Sequence, residues 1–391
     1  MSITLPDVEW LTSPTGESLL QRLAHEDLSD TNTLPLLTRL RRDYTAVQAG
    51  AAVEMARLRV KAVAKFGVDA RRLFFTREAL EQASDPLVRA YRAEVIGAHS
   101  VIDACCGIGA DSLMLAAMGA DVYGLDIDSV RIEIARYNAK SVGLKARFEV
   151  GDVTEGLPRA EWVFFDPARR DEQGKRIYDV ERYQPPLSIV SDWKQASICA
   201  KLSPGVDLEH LKSYHGLVDF VSVDGDLKEA ILWLGDGVRR ERATLLRHEE
   251  YFFWEREMGI VPETTIAAPR EWLVEPDPAI LRAGLVQDVA EEFNGFLLDE
   301  TIAYFTTDEK PESPWLRAWR VLDWMPFNVK KLRAYLRAHQ VGDVTVKKRG
   351  SPVTPEALIP QLKLKGSAAR TVVLTRLRGQ PIVIICAPEP G

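Results

Sequence analysis

Four aspartates occupy equivalent places in successive apolar segments near the middle of the chain. Asp103 lies in VIDAC, Asp126 ends VYGLD, Asp152 follows FEVG, and Asp166 ends VFFD. Each segment has the length and composition of a buried strand, and helical stretches separate most of them. A single aspartate in this position is often a turn former or a helix cap. Four of them predict carboxylates gathered at the edge where open α/β sheets bind ligands.

A glycine-containing turn follows the first of these segments. Gly107 and Gly109 stand between VIDACC and the helical stretch ADSLMLAAMG, where glycine allows tight geometry and close ligand approach. Asp126 lies 23 residues beyond Asp103, a spacing suited to hydrogen bonds with ribose hydroxyls. A dinucleotide fold usually has a third glycine, here replaced by Ser112, and the neighbouring Asp111 disfavours a pyrophosphate. A cofactor with a cationic sulfonium and a free amino group fits this loop better.

The stretch 101–167 resembles class I S-adenosylmethionine-dependent methyltransferases. VIDACCGIGADS, VYGLDID and FEVGDV are similar to their first three motifs, and FDPAR stands where their fourth motif stands. The resemblance implies a Rossmann-like sheet that binds S-adenosylmethionine. It also implies these contacts: Asp103, Gly107 and Gly109 to the methionine moiety, Asp126 to the ribose, Asp152 to the adenine, and Asp166 beside the transferable methyl.

Residues 1 to about 95 are rich in Ala, Leu and Arg with helical spacing of the apolar positions. Asp85-Pro86 is expected to begin one helix, and Thr76 to cap another. LFFTREALEQAS resembles the N-terminal segment of the trimethylguanosine-synthase-like RNA methyltransferases. In that group a Phe/Thr loop closes over the cofactor, which implies that Phe75 and Thr76 contact it here.

The end of the chain is basic although the whole protein carries a net charge of -7. From Arg320 onward 13 Lys and Arg residues face 4 Asp and Glu, a local balance of +9 that indicates a basic binding module. VTVKKRG, a helix and the hairpin TVVLTRLRGQPIVIICA resemble the THUMP-like domain of bacterial methyltransferases, and THUMP domains are associated with tRNA. The candidate phosphate contacts are Lys347, Lys348, Arg349, Lys363, Lys365, Arg376 and Arg378.

Together these patterns predict an α/β protein with four parts. A helical domain spans 1–95, an S-adenosylmethionine-binding methyltransferase domain 96–247, a connecting segment 248–314, and a small α+β THUMP-like domain 315–391. Within the second part, ASICAKLS, the segment LVDFVSVDGDLKEAILWLG and RATLL are expected to add strands. The connecting segment is expected to contain one helix after Pro276-Asp277-Pro278 and to end in the linker PESP.

The fourth motif reads Asp166-Pro167-Ala168-Arg169. Methyltransferases that act on exocyclic base nitrogens usually have a polar residue, two prolines and an aromatic there. Asp166 and Pro167 fit as the catalytic pair, whereas the second proline and the aromatic are absent. Arg169 offers a stacking guanidinium or a phosphate contact instead.

The same motif also resembles the DPPR element of enzymes that methylate carbon 5 of pyrimidines. Those enzymes need a cysteine nucleophile. Cys199 is the one candidate near the expected sheet edge, but it lies inside an apolar run and is expected to be buried and inert.

Lys201 also falls near the predicted edge, together with Asp226, Lys228 and Glu229 of VDGDLKEA. These side chains either line a substrate pocket or belong to a solvated turn. The favoured function is methylation of a base in structured RNA, either tRNA or rRNA. The alternatives are a small-molecule methyltransferase and an RNA-associated protein that binds S-adenosylmethionine without catalysis. The RNA species, the base, the atom and the number of methyl groups stay open.

Composition excludes several other classes. A chain of 391 residues with 46% hydrophobic and 27% charged residues is typical of a two- or three-domain globular protein. The sequence has no apolar stretch near the 20 residues of a bilayer span and no signal-peptide pattern, so we expect a cytoplasmic protein without a membrane partner. Four cysteines without zinc-finger spacing make a disulfide framework and a metal site unexpected.

Overall fold

The structure is a computed structural model that describes residues 3–169, 174–175, 177–194, 197–235, 237, 239–248, 250–257 and 259–388. Met1, Ser2 and the last three residues of the predicted C-terminal domain lie outside these ranges. The chain forms two compact units. One runs up to Val218 and includes Lys228–Arg239, and the other contains Asp219–Leu227 and the chain from Arg240 onward. The predicted division into four parts stays a prediction.

The N-terminal region is helical, as the Ala- and Leu-rich pattern predicts. Thr76 accepts a hydrogen bond from the backbone N–H of Ala79, and Asp85 accepts one from that of Leu87, so both expected helix starts are confirmed. The helices are α1 (Leu5–Leu11), α2 (Pro14–Leu23), α3 (Thr33–Leu40), α4 (Ala46–Phe66), α5 (Arg77–Gln82) and α6 (Pro86–Ile96).

A mainly parallel sheet follows in the first unit. Its elements are β1 (Ser100–Ala104), α7 (Ala110–Ala117), β2 (Asp121–Asp126), α8 (Ser129–Val142), β3 (Ala146–Val150), β4 (Trp162–Phe165), β5 (Ser197–Leu202), and, after β6 (Gly216–Val223), β7 (Asp226–Leu234). The strand order is β3-β2-β1-β4-β5-β7. The first five strands are parallel and β7 is antiparallel to β5. The strand-helix alternation therefore builds the expected Rossmann-like sheet.

The second unit is an α+β assembly. After β6 its elements are β8 (Arg240–Arg247), β9 (Glu250–Glu257), β10 (Trp272–Pro276), α9 (Pro278–Arg282), α10 (Val286–Glu292), β11 (Phe296–Leu297), β12 (Phe305–Thr307), β13 (Leu316–Pro326), α11 (Val329–Ala338), β14 (Val341–Lys348), α12 (Pro355–Leu362), β15 (Ala368–Leu377) and β16 (Gln380–Cys386). A seven-stranded sheet has the order β11-β12-β10-β13-β16-β15-β14. Arg378 and Gly379, both with positive φ, form the two-residue turn of the expected hairpin.

The second unit differs from the sequence expectations in several details, and strands β10, β11 and β12 are among the elements that were not expected. The single helix expected after Pro276-Asp277-Pro278 is two short helices, because Gly284 with φ +71° interrupts the helical path. Strand β9 was missed because its consecutive aromatics, YFFW, hide the alternation that marks a strand. Strand β13 was missed as well, and it begins at Leu316, two residues after the end of the expected linker.

The helical region and the sheet share one apolar core in the first unit. Residues of α1–α4 pack in the same cluster as residues of α7, α8 and β3. Within it Asn138 of α8 is only 1% exposed. Its Oδ1 accepts the Phe74 N–H at 2.7 Å, and its Nδ2 donates to the carbonyls of Phe74 and Ile108 at 3.0 and 3.1 Å. One side chain therefore joins the N-terminal segment to the glycine turn.

This arrangement predicts the effect of Asn138→Leu. Leucine leaves two carbonyls and one N–H buried without partners, and each such group costs about 1–3 kcal/mol. Urea unfolding should show a loss of at least that size, whereas Lys140→Leu on the exposed face of the same helix should change stability little. Equal stability of the two variants would contradict the bridging role of Asn138.

Candidate active site

The glycine turn after β1 has a backbone that few residues adopt. Gly107 and Gly109 have φ values of +55° and +80°, in the left-handed region where a side chain is strained. A Cβ atom on Gly109 would lie 3.3 Å from both Ala135 Cβ and Phe148 Cζ. Glycine at position 109 therefore meets both a conformational and a steric requirement, and it lets α7 begin close to α8 and β3.

Asp126 ties the end of β2 to this turn. Its Oδ2 accepts the Gly107 N–H at 2.8 Å and its Oδ1 accepts the Asp128 N–H at 2.9 Å. Asp152 follows β3 and accepts hydrogen bonds from the N–H and hydroxyl of Thr154, which hold the pKa of Asp152 below its usual value. Two of the four predicted aspartates thus order the loops that follow their own strands.

The four aspartates lie at or next to the carboxyl ends of four adjacent parallel strands, as their positions in the sequence predict. Burial raises the pKa of the Cys105 thiol, and the carboxylates of Asp126, Asp166, Asp103 and Asp152 raise it further. A single thiol in the glycine turn therefore lies within electrostatic reach of all four carboxylates. This arrangement makes Cys105 a poor nucleophile, because the thiolate is disfavoured.

Asp103 carries an oxygen that lacks a protein donor. The residue is 1% exposed, and its Oδ2 accepts a hydrogen bond from the Ser112 hydroxyl. In the part of the chain that the structure describes, Oδ1 is buried and has no hydrogen-bond partner. Burial, reinforced by the nearby Asp111 charge, raises the pKa of Asp103 to about 8. A cationic donor bound beside this oxygen would satisfy it and favour the ionised carboxylate.

A buried arginine of α6 compensates the other carboxylates of this region. Arg92 is 2% exposed and forms ion pairs with Asp111, in the first turn of α7, and with Glu229 of β7. Ser84 hydrogen-bonds to both Arg92 and Glu229. Although burial opposes it, the positive charge of Arg92 holds the pKa of Asp111 below its usual value. Asp111 is thus neutralised by a partner, and Glu229, expected in a pocket lining or a solvated turn, is buried in an ion pair.

Asp166 follows β4 and is held by two cations. Lys201 Nζ of β5 donates to its Oδ2 at 2.7 Å, and an Arg169 Nη2 lies 3.5 Å from its Oδ1. Lys201 is 2% exposed and also donates to the Gln82 carbonyl at 3.3 Å. Its burial lowers the pKa of the ammonium, and the Asp166 charge opposes that shift. Lys201, predicted as a substrate contact, therefore has the geometry of a residue that orients Asp166.

Other predicted residues have local roles in the structure. Phe75 is fully buried, and its ring packs edge-on against Phe66 with the centroids 5.1 Å apart, while Thr76 caps α5. Cys199 is fully buried in the middle of β5, as expected for a packing residue rather than a nucleophile. Within the part of the chain that the structure describes, no hydrogen bond joins Phe75 or Thr76 to the four aspartates.

Three of the seven basic residues predicted as phosphate contacts, Lys347, Lys348 and Arg349, lie together on and after β14 and are not equivalent. Lys347 Nζ and an Arg349 Nη2 lie 3.5 and 3.1 Å from the carboxylate of Glu275. The Lys347 ammonium also lies over the ring of Trp319. Lys348, between them on β14, is exposed. Of the three, Lys348 is the one whose charge faces solvent without this acidic neighbour.

Sequence reasoning missed the residues that hold the site together. Asn138, Arg92 and Ser112 are all buried and polar. Arg89 and Arg92 lie three residues apart and so share one face of α6, and Asn138 lies on the core-facing side of α8 beside Ala139. A charged or amide residue at an otherwise apolar helical position was the available signal for a buried polar contact. The signal does not identify the partners, because they come from distant parts of the chain.

Three segments match known protein families. Residues 101–166 match the family described as a methyltransferase domain, residues 316–388 match THUMP domain-like, and residues 4–62 match a domain of unknown function, DUF8688. A crystal structure of a proposed methyltransferase from Porphyromonas gingivalis W83 has the same fold over 99% of this chain and 98% of its own, with a TM-score of 0.77 and 20% identity.

Sequence relatives extend the match over most of the chain. An uncharacterized S-adenosylmethionine-dependent methyltransferase of Mycobacterium tuberculosis is 34% identical over 339 residues, which are 83% of this chain and 92% of the relative. An uncharacterized RNA methyltransferase of Parasynechococcus marenigrum is 45% identical over 85 residues, only 20% of this chain and 18% of that protein.

The fold and the carboxylate-lined glycine turn define a Rossmann-like cofactor-binding enzyme, and the relatives show to which class of such enzymes the chain belongs. The chain belongs to the S-adenosylmethionine-dependent methyltransferases. The residues present fit that cofactor, because the partnerless Oδ1 of Asp103 accepts what an amino group donates. When bound, the cofactor supplies an electrophilic methyl on a sulfonium. Among the described residues, no helix is long and apolar enough to cross a bilayer, and no cluster of His, Cys, Asp and Glu is arranged to hold a metal.

The Asp103 carboxyl predicts a proton release on cofactor binding. Its pKa of about 8 leaves it mostly protonated at pH 7, and the cofactor's amino cation should favour ionisation. Titration calorimetry at pH 7 in buffers of different ionisation enthalpy should show a proton released, and the affinity should rise from pH 6 to 7.5. Asp103→Asn should remove both effects, whereas Asp121→Asn at the exposed start of β2 should keep them. Release that persists in Asp103→Asn would exclude Asp103 as its source.

Proposed function

We propose that the protein methylates a base of structured RNA, tRNA or rRNA, and that its C-terminal domain holds the RNA. The observation that carries the proposal is Asp166-Pro167 at the end of β4, in a chain that also has a THUMP domain-like segment. The short match to an RNA methyltransferase supports it, although that match covers a fifth of the chain. A cytoplasmic location fits such a substrate.

In this proposal the cofactor is held by the turn and the carboxylates around it. Asp103 binds the amino group, Gly107 and Gly109 allow the methionine moiety to approach the backbone, Asp126 binds the ribose and Asp152 the adenine. Asp126 has spare acceptor capacity for a hydroxyl, since each oxygen accepts one N–H in the structure. Phe75 and Thr76 shape the cofactor side through the segment that Asn138 anchors, since Phe75 itself is fully buried.

Asp166 and Pro167 position the methyl acceptor. The carboxylate already binds Lys201 and Arg169, and its remaining lone pairs are available to an N–H or O–H donor of the acceptor base. Lys201 keeps one oxygen in place, and Arg169 contacts the base or a neighbouring phosphate. Proline after the aspartate removes a backbone donor that would otherwise compete for that carboxylate.

The proposed RNA surface is on the second unit. Besides Lys348, the exposed basic side chains from residue 330 onward are Lys330, Lys331, Arg337, Lys363, Lys365, Arg376 and Arg378. Contacts of this kind give salt-sensitive, sequence-independent binding to phosphates. Lys347 and Arg349 contribute less in this view, because both lie beside Glu275, whose single negative charge offsets part of theirs.

That same compensation favours the alternative, a small-molecule methyltransferase whose C-terminal domain is structural. Basic side chains that pair with an internal carboxylate stabilise the domain itself rather than a bound polyanion. Methyl incorporation distinguishes the two functions, because it depends on RNA only if the protein is an RNA methyltransferase.

The first experiment measures methyl transfer from radiolabelled S-adenosylmethionine to total tRNA and rRNA from a bacterial strain that lacks the protein. Wild type should label RNA, and Asp166→Ala should lose that activity by at least about 100-fold, the low end for removing a group that acts at the reacting centre. Lys201→Met should also lose activity with unchanged cofactor affinity, and Lys201→Arg should recover part of it. Cofactor binding without any RNA labelling would support the small-molecule alternative.

A second experiment locates the RNA surface. Lys348→Glu should weaken tRNA binding and reduce its salt dependence, because one phosphate contact becomes repulsive. S-adenosylmethionine affinity should stay unchanged. Lys145→Glu, an equal charge change at an exposed position of the first unit, serves as the control. If both variants lose the same tRNA affinity, the effect is one of net charge and the proposed surface is wrong.

A further inference from the structure

An exposed aromatic lies on the chain segment that follows the fourth motif. Tyr178 is 51% exposed. The motif itself, Asp166-Pro167-Ala168-Arg169, lacks the aromatic that stacks on a base in enzymes acting on exocyclic base nitrogens. A flat apolar surface at this place therefore has to come from another part of the chain.

The backbone returns the segment to the motif. Ala168 and Gln184 exchange two hydrogen bonds, at 3.0 and 3.1 Å, as an antiparallel pair. The Ile177 N–H donates to the Arg169 carbonyl at 2.8 Å. Tyr178 is the next residue, so the Ile177 hydrogen bond brings its main chain close to Arg169, and the Ala168–Gln184 pair returns the segment to the motif six residues later.

The ring of Tyr178 packs on a glycine at the end of the neighbouring strand. A Cβ atom built on Gly205 would lie 2.7 Å from Tyr178 Cε1, closer than any real contact allows. Gly205 comes three residues after β5, the strand whose Lys201 holds Asp166 at 2.7 Å. The ring therefore lies against main chain near the Asp166 end of the sheet, with half its surface open to solvent.

We propose that Tyr178 is the base-stacking residue of this enzyme and takes the place of the aromatic missing from the fourth motif. The inference rests on the proposed function, since it requires a nucleobase as the acceptor. Sequence-specific and single-stranded RNA contacts use aromatic faces in this way, because every base has a π-face. Tyrosine is suited to it, because few torsions have to be fixed when the ring is covered.

The test measures kcat and KM for methylation of total tRNA and rRNA by four proteins. Tyr178→Ala should lower kcat/KM by roughly 5- to 150-fold, the range found when a base-stacking aromatic is removed. Tyr178→Phe should retain most of the activity, because the ring is kept and only the hydroxyl is lost. Tyr251→Ala, a tyrosine of similar exposure on β9, is the matched control and should behave as wild type.

Gly205→Ala gives an independent variant, because its methyl group displaces the ring without altering it. It should lower kcat/KM in the same direction as Tyr178→Ala, with S-adenosylmethionine affinity and thermal stability near those of wild type. Wild-type labelling of RNA with equal activity in Tyr178→Ala would overturn this inference alone. If wild type labels no RNA, the proposed function and this inference fail together.

Discussion

Carboxylates buried side by side repel one another, and the structure of the first unit depends on the cations that compensate them. Asp111 and Glu229 are paired with Arg92, and Asp166 is paired with Lys201. Removing one partner of a buried pair leaves an uncompensated charge and typically costs about 3–5 kcal/mol. Asp103 differs from these three, since among the described residues its side chain accepts one hydrogen bond, from the Ser112 hydroxyl, and its pKa is raised. Among the described residues, a fully buried carboxyl thus lacks a cationic partner at the place where a cationic cofactor group is expected.

The N-terminal helices contribute to the cofactor site through ion pairs and through hydrogen bonds to the backbone. Arg92 belongs to α6, and Arg89 on the same helix donates to the Ala110 carbonyl at 3.3 Å, at the start of α7. Lys65 of α4 donates to three carbonyls at the end of α5, and Asn138 fixes the segment before α5 to the glycine turn. The helical region is therefore part of the frame of the cofactor site, which explains how it shares one apolar core with α7 and α8.

Local patterns predicted the parts of this structure that depend on local chemistry. The parallel strands, the caps at Thr76 and Asp85, and the turn at Arg378-Gly379 follow from periodicity, side-chain capping and backbone preference. The convergence of the aspartates follows from strand order alone. The pairing of Arg92 with Glu229 joins residues 137 positions apart, and neither the sequence around Arg92 nor that around Glu229 predicts it. Strand β9 shows the same limit, because its antiparallel pairing with β8, rather than an alternation of apolar residues, defines it as a strand.

The environment of Asp166 also restricts the chemistry of the acceptor. A carboxylate bound by an ammonium and a guanidinium keeps free lone pairs and offers no hydrogen to donate, so it orients a group that donates a hydrogen bond. An amine or ring N–H meets that requirement, whereas a carbonyl oxygen or a phosphate would be repelled by the carboxylate and would have to approach Arg169 instead. Asp166 therefore suits the hydrogen-bond donor of the acceptor, and the neighbouring Arg169 suits the anionic groups around it. This division suits a nucleotide, which carries a donor on its base and a negative charge on its backbone.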